Sequence, residues 1–141
     1  MDFDFLVGTN HVANRRLNRD SGQWEEFPGR NEGAAYLDGQ VVVDELRATL
    51  PDGREIAFVD VHAYDPVSGV WSNVVHGKGA PPDWAPMSGR FQDGVGEFAQ
   101  VNGLIRHTWD RITPVSARFR QAVSADGVTW EVDWVMDLTR I

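Results

Sequence analysis

The sequence contains no cysteine, and this excludes disulfide bonds, thiolate catalysis and thiolate metal sites together. Lysine is almost absent too, since Lys78 is the only lysine among 13 basic residues. The formal net charge is −8. Because a protein must present a basic surface to neutralise phosphates, we expect no nucleic-acid partner.

Long apolar runs are also missing. No stretch approaches the roughly 18 apolar residues of a membrane span, and the opening MDFDFL lacks the basic region of a secretory signal. We therefore expect a cytoplasmic protein with no membrane partner. A length of 141 residues predicts a single domain over 1–141, with room for a real core or an enclosed cavity but not for two independent cores.

Helical periodicity is missing as well, since no apolar stripe continues at helical spacing for more than about two turns. Turn dipeptides such as Ser21-Gly22 and Ser68-Gly69 instead recur at short intervals. Between them, apolar and β-branched runs predict strands near 8–17, 23–30, 41–50, 55–64, 70–76, 88–92, 95–101, 104–112, 117–124 and 129–139. Residues 31–40 are too rich in glycine to assign. Because closure removes exposed edges, we predict an all-β, closed antiparallel up-and-down barrel of nine or ten strands.

The last two hairpins predict a row of charges on the outer face. A two-residue turn at Asp126-Gly127 pairs Arg120 with Asp133. A three-residue turn before it sets Arg120 beside Asp110. We therefore expect these three charges to share the solvent side. The same register turns inward the side chains of Phe119, Gln121 and Trp134.

The hairpins before these agree on the inner face. Turns at Asn102-Gly103 and Asp93-Gly94 place Phe98 opposite His107, with both side chains inward. A one-residue slip in any hairpin would turn the apolar set of that strand outward. The agreement of successive hairpins therefore discriminates between registers.

A two-residue turn at Asp52-Gly53 predicts the faces of the third and fourth strands. It leaves Asp60 and His62 outside. The next strand continues the inner face through Trp71, Asn73 and Val75. Together with these, the register turns inward Val42, Asp44, Leu46, Ala48, Ala57, Val59, Val61 and Ala63.

The segment Gly8-Thr9-x after FDFL resembles the Gly-x-Trp start of lipocalin-like (calycin) barrels. The chain resembles still more an uncharacterised bacterial family of lipocalin-like domains. The resemblance is carried by FDFLVGT, VDEL at 43–46, YDPVSGVWS at 64–72, GRFQDGVGEF at 89–98, ITPVSARFRQAVSADGVTW at 112–130 and WVMDLTR at 134–140. It implies a barrel in which a short N-terminal turn plugs one end.

Asn10 departs from this pattern, because the related barrels carry at this position a tryptophan that packs across the barrel floor. If Asn10 points inward, with Val12, Asn14 and Arg16 on the same face, the barrel gains polar groups and volume. The alternative is that Asn10 lies at a frayed strand start and is bonded to backbone.

The predicted inner face mixes aromatic with polar side chains, which is typical of a small-molecule site. We therefore expect a pocket for a small, partly aromatic organic ligand or substrate. The alternative is an internal hydrogen-bond network that only fixes the fold. The expected ligand-binding residues are Asn10, Asn14, Arg16, Trp71, Asn73, Phe98, Gln100, Trp109, Phe119, Gln121 and Trp134.

Two titratable groups are candidates for catalysis. His107 is predicted to be the inward histidine of the four, with a pKa lowered by desolvation. It is a candidate base, acid or haem ligand, or a satisfied core residue. Asp44 needs a cation or strong donors when buried, and Arg16 is the expected partner. Either group could transfer a proton in an isomerase or cyclase, the enzyme alternative to a binding protein.

The other histidines, His11, His62 and His76, share neither a strand nor a ligand spacing, so we expect no metal site and no cofactor. Residues 76–89 are either a lid with Trp84 as its apolar contact or a surface loop. A structural or dimerising domain, with a possible homodimer, is the remaining alternative.

Overall fold

The computed structural model describes residues 1–101 and 103–141, and its ten strands form a closed antiparallel barrel. Each strand pairs with the next in sequence, and the first pairs with the last. This confirms the predicted all-β up-and-down barrel. The strands are β1 Gly8–Leu17, β2 Trp24–Tyr36, β3 Val41–Thr49, β4 Glu55–Asp65, β5 Val70–Gly77, β6 Met87–Gln92, β7 Val95–Ala99, β8 Ile105–Thr113, β9 Ser116–Val123 and β10 Glu131–Arg140.

The pairing of β6, β7 and β8 is the predicted one. Phe98 lies opposite His107 and Arg90 lies opposite Glu97. Asn102, in the predicted Asn102-Gly103 turn, lies outside the described residues. Among the described residues, no helix has both the length and the apolar character needed to cross a membrane.

The glycine-rich segment after residue 30 continues β2 as far as Tyr36, and a short 3-10 turn, Leu37–Gly39, follows it. The reason for a glycine is visible at Gly33. A Cβ atom there would lie 2.0 Å from the carbonyl oxygen of Leu6. The N-terminal segment therefore crosses β2 at a distance that only glycine permits.

That N-terminal segment closes one end of the barrel, as the resemblance implies. It contains a 3-10 turn, Asp4–Leu6, and both Phe3 and Leu6 are fully buried. The ring of Phe3 packs edge-on against Trp71, with ring centroids 4.8 Å apart. The indole Nε1 of Trp71 donates to Asp2 Oδ2 at 2.9 Å. We call residues 2–6 the N-terminal plug.

The predicted register of β3 and β4 is wrong by one residue. Leu50 donates its backbone N–H to the Arg54 carbonyl, and Gly53 adopts a φ of +90°. Residues 51–53 therefore form a three-residue loop with glycine in the left-handed position. A slip of one residue exchanges the two faces of a strand. The residues of β4 that face inward are therefore Phe58, Asp60 and His62. The opposite face carries the residues predicted to face inward, Ala57, Val59, Val61 and Ala63.

The prediction of a row of charges on the outer face is correct only in part. Arg120 forms an ion pair with Asp110. The predicted register of β8 and β9 is nevertheless wrong by two residues, because Arg120 lies opposite Thr108 and an irregularity separates Asp110 from Thr113. Arg120 lies opposite Val135 rather than Asp133. One residue of this difference arises at the turn, where Val123 pairs with Glu131, and a second arises at an irregularity between Val132 and Trp134. The same shift keeps Trp134 buried and inside the barrel.

Candidate functional site

The barrel encloses a cavity of about 100 Å³, which we call the inner cavity. Its wall combines apolar side chains with carboxyl, amide and imidazole groups. Six residues predicted from the sequence line it: Asp44, His107, Trp109, Phe119, Gln121 and Trp134. The other lining residues are Val12, Asn31, Leu46, Phe58, Asp60, Val75, Met136 and Leu138.

A second cavity of about 160 Å³ lies beside it. The two cavities share Val75, His107 and Gln121, so these side chains form their boundary. Two more predicted residues, Asn73 and Gln100, line this second cavity. Its wall is completed by residues from β6, β8 and the loop before β6, namely Asp83, Ala85, Met87 and Ile105.

The loop before β6 contacts the barrel through its backbone. Gln100 Nε2 donates to the Ala85 carbonyl at 3.3 Å. Trp84 is 74% exposed and packs edge-on against His76, with ring centroids 4.6 Å apart. The part of the loop that lines the second cavity is therefore Asp83 and Ala85, whereas Trp84 faces solvent.

A buried polar layer lies next to the N-terminal plug. His62 Nε2 donates to Asp44 Oδ1 at 2.8 Å, and His62 Nδ1 donates to Asn73 Oδ1 at 2.9 Å. The Phe3 ring stacks on the imidazole at a centroid distance of 4.1 Å. With its amide nitrogen turned toward β3, Asn31 donates to Asp44 Oδ2 at 2.9 Å. Asp44 thus receives a donor on each oxygen.

The charges in this layer shift the pKa values of two groups. Burial lowers the pKa of His62, but the hydrogen bond to Asp44 and the charges of Asp60 and Asp44 outweigh this effect, so the pKa is raised. Both ring nitrogens donate, which requires the imidazolium form. Burial raises the pKa of the Asp60 carboxyl to about 7, against the opposing charge of His62.

His107 has a different environment. Gln121 Nε2 donates to Asp133 Oδ1 at 3.1 Å, which leaves Gln121 Oε1 facing His107 Nε2 at 2.9 Å. His107 therefore carries a proton on Nε2, and in the neutral ring Nδ1 is an acceptor. Burial lowers the pKa of His107, as predicted. Arg19 holds the other end of this chain by donating to Asp133 Oδ2 at 3.1 Å.

Five predicted ligand-binding residues line neither cavity. Asn10 is buried and donates to the Phe5 carbonyl in the plug at 3.4 Å, so it is both inward and bonded to backbone. Asn14 Oδ1 accepts from Trp134 Nε1 at 3.1 Å. The other three are Arg16, Trp71 and Phe98.

The predicted ion pair between Asp44 and Arg16 is wrong. The Arg16 guanidinium lies over the Trp134 ring, 4.5 Å from its centroid. The partner of Asp44 is His62, which makes His62 a second inward histidine beside His107. Sequence reasoning missed His62 and Asp60 because it assigned a two-residue turn. The longer turn is indicated in the sequence by Pro51, directly before Asp52-Gly53, since proline favours the first central position of a type I turn.

Solved structures with the same fold fall into natural and designed proteins. Rv2717c from M. tuberculosis is 11% identical, with 97% of this chain and 93% of that chain covered and a TM-score of 0.68. The S-type phycobiliprotein lyase CPES from Guillardia theta is 11% identical, with 99% and 90% covered and a TM-score of 0.65. The fold is lipocalin-like.

The redesigned β-barrel mFAP0, which is bound to DFHBI in its solved structure, is 12% identical, with 96% of this chain and 99% of that chain covered and a TM-score of 0.54. No protein-family model and no curated protein matches the chain. At these identities the likeness concerns the fold alone.

Proposed function

We propose that the barrel binds a small organic molecule in its inner cavity. The observation that carries this proposal is an enclosed wall in which aromatic rings alternate with polar groups held in fixed orientations. His107 and Gln121 are oriented by the chain that begins at Asp133. Support from the comparisons is general: a redesigned barrel of similar fold is bound to DFHBI.

Titration with benzyl alcohol, a neutral one-ring probe, tests this proposal. We expect saturable binding, with amide NMR shifts concentrated at the residues that line the inner cavity. Replacing Trp109 or Gln121 by alanine should weaken binding by about tenfold, equivalent to about 1.4 kcal/mol. Mass spectrometry of compounds that co-purify with the protein would identify the natural ligand.

Arg120→Ala is the control, because this side chain lies on the outer face in its ion pair with Asp110. Its affinity for benzyl alcohol should stay within about twofold of the wild type, well inside a tenfold effect. Thermal melts of all three variants separate weakened binding from unfolding. An equal loss of affinity in Arg120→Ala would place the binding site outside the cavity.

A proton-transfer enzyme is the second candidate function, and one observation favours it. His107 has a lowered pKa and a free acceptor nitrogen in the neutral ring, whereas Asp60 in the same cavity has a raised pKa. These shifts reverse the usual order of the two pKa values, so neutral His107 could accept a proton while protonated Asp60 donates one.

If this candidate is correct, His107→Gln should reduce turnover of the substrate by about 10²-fold or more. The turnover assay uses each compound identified by co-purification, and His11→Gln on the exposed side of β1 is the control. Retained turnover in His107→Gln would remove His107 from the reaction. If no compound is turned over, the function is binding alone.

A further inference from the structure

Asp60 is an unusual member of the cavity wall. Its Oδ1 atom is shielded from solvent and has no hydrogen-bond partner among the described residues. Asp44, on the neighbouring strand, differs because both of its oxygens accept hydrogen bonds. A buried carboxylate without donors is costly. The residue as a whole is half-buried and lines the inner cavity, so its carboxyl group faces whatever occupies the cavity.

The charges around Asp60 leave one negative charge without a partner. The titratable groups that face it are Asp44 on β3, His62 on β4 itself and His107 on β8. His62 is hydrogen-bonded to Asp44, and burial lowers the pKa of His107. When Asp60 is ionised, one imidazolium therefore balances two carboxylates.

Two arginines that contact side chains next to the cavity are already engaged. Arg16 lies over Trp134, and Arg19 donates to Asp133. Neither lines the cavity. An ionised Asp60 is therefore balanced either by taking up a proton or by a cation that the ligand brings.

The remaining wall suits an aromatic cation. Phe58, Trp109, Phe119 and Trp134 present rings to the cavity, and Phe58 packs against Trp134 with centroids 5.6 Å apart. Aromatic faces attract cations and pack against other rings. On the basis of the proposed function, we propose that the natural ligand is a small organic cation, with one aromatic ring and a protonated nitrogen, and that Asp60 binds this nitrogen.

The size of the cavities agrees with a ligand of this kind. A cavity of roughly 150 Å³ holds a benzene molecule. The inner cavity of about 100 Å³ adjoins the second one of about 160 Å³. Because the inner cavity alone is smaller than this, a ring with a short aminoalkyl group would extend past the boundary at Val75 into the second cavity.

A metal ion is the rival occupant of this site. Asp44, Asp60 and His62 each offer an atom within 4.8 Å of the others. However, His62 donates from both ring nitrogens, so a metal would have to displace a proton and the hydrogen bond to Asp44. An ammonium group needs neither change, since it donates to the Asp60 carboxylate and leaves both hydrogen bonds of His62 in place.

The test compares three one-ring probes by isothermal titration near pH 8: benzylammonium, benzyl alcohol and benzoate. We expect benzylammonium to bind at least about tenfold more tightly than benzyl alcohol, and benzoate to bind most weakly. Asp60→Asn should reduce the affinity for benzylammonium by about tenfold or more and leave that for benzyl alcohol within about twofold. The control Asp93→Asn, in the exposed turn between β6 and β7, should change neither.

Lowering the pH provides a second readout, because protonation of Asp60 removes the negative charge that binds the cation. The preference for benzylammonium over benzyl alcohol should shrink as the pH falls below about 7, the pKa of Asp60.

The outcomes separate this inference from the function on which it rests. If benzyl alcohol binds in the cavity but benzylammonium is no tighter, or if Asp60→Asn affects both probes equally, the cationic ligand is excluded and the binding function stands. If neither probe binds, both proposals fail. If Zn²⁺ binds to the wild type, Asp60→Asn abolishes its binding and benzylammonium shows no preference, the site is a metal site and the inference is overturned.

Discussion

Asp60→Asn is expected to gain stability relative to the wild type as the pH rises. Between about pH 5 and about pH 8.5, the difference in free energy of unfolding should widen in favour of the variant by about 2–3 kcal/mol. Chemical denaturation of both proteins across this range measures the difference. Few single substitutions stabilise a protein by this amount.

The direction of this change in the free energy of unfolding follows from the raised pKa of Asp60. The folded protein binds the proton with a pKa of about 7, whereas the ordinary pKa of an aspartate side chain is 3.8. The stability from this group is fully present below the unfolded pKa and is lost as the pH rises to about 7. Asparagine resembles the protonated carboxyl in shape and cannot lose that proton, so the variant avoids the loss.

Two histidines change stability in the same pH range. The pKa of His62 is raised, so its contribution is present below 6.5 and is lost as the pH rises through the higher folded pKa. The pKa of His107 is lowered, so its contribution is lost as the pH falls below 6.5. Because both groups remain in the variant, subtracting the two profiles removes their effect, except for the part of the His62 shift that the charge of Asp60 causes.

Asp93→Asn again provides the control, since it removes the same charge from an exposed turn. Its difference from the wild type should stay nearly constant with pH. A constant difference in Asp60→Asn as well would mean that Asp60 does not titrate between pH 5 and 8.5, and that its environment is not the desolvated one described above.

The sequence predicts the strands well because the turn residues mark them. Asp93-Gly94 is a true two-residue turn, and the pairing of Phe98 with His107 beyond it follows correctly. The inner face of β6 to β8, and with it the position of His107 in the cavity, could therefore be predicted from local patterns.

The acidic part of the site could not be predicted in the same way. The loop between β3 and β4 has three residues rather than two, and this one residue moves Asp60 and His62 from the outer to the inner face. β4 alternates between two sets that are both largely apolar, with Phe58 and Val59 side by side. Hydrophobicity alone therefore does not select the register.

The irregularity in β10, a β-bulge, could not be predicted from the sequence either. Val132 and Trp134 flank Asp133, and the register shift at this point allows Asp133 to contact Gln121 rather than Arg120. The orientation of Gln121, and through it the tautomer of His107, thus depends on an irregularity that tertiary packing imposes.

Phe3→Ala is expected to destabilise the protein by about 3–5 kcal/mol, the usual cost of removing a fully buried aromatic side chain. Phe3 is 0% exposed, and its ring packs against His62, Phe91 and Phe98. Its removal leaves a void between the N-terminal plug and the buried polar layer. Urea denaturation at a fixed pH measures the loss.

Trp84→Ala is the matched control, since it removes a larger aromatic side chain that is 74% exposed. Its effect on the free energy of unfolding should stay within about 0.5 kcal/mol. Phe3→Leu, which keeps most of the buried volume, should lie between the two. If Phe3→Ala costs no more than Trp84→Ala, residues 2–6 do not contribute to the stability of the barrel. A full loss in Phe3→Ala, with most of it recovered by leucine, would show that the plug stabilises the barrel by filling its end.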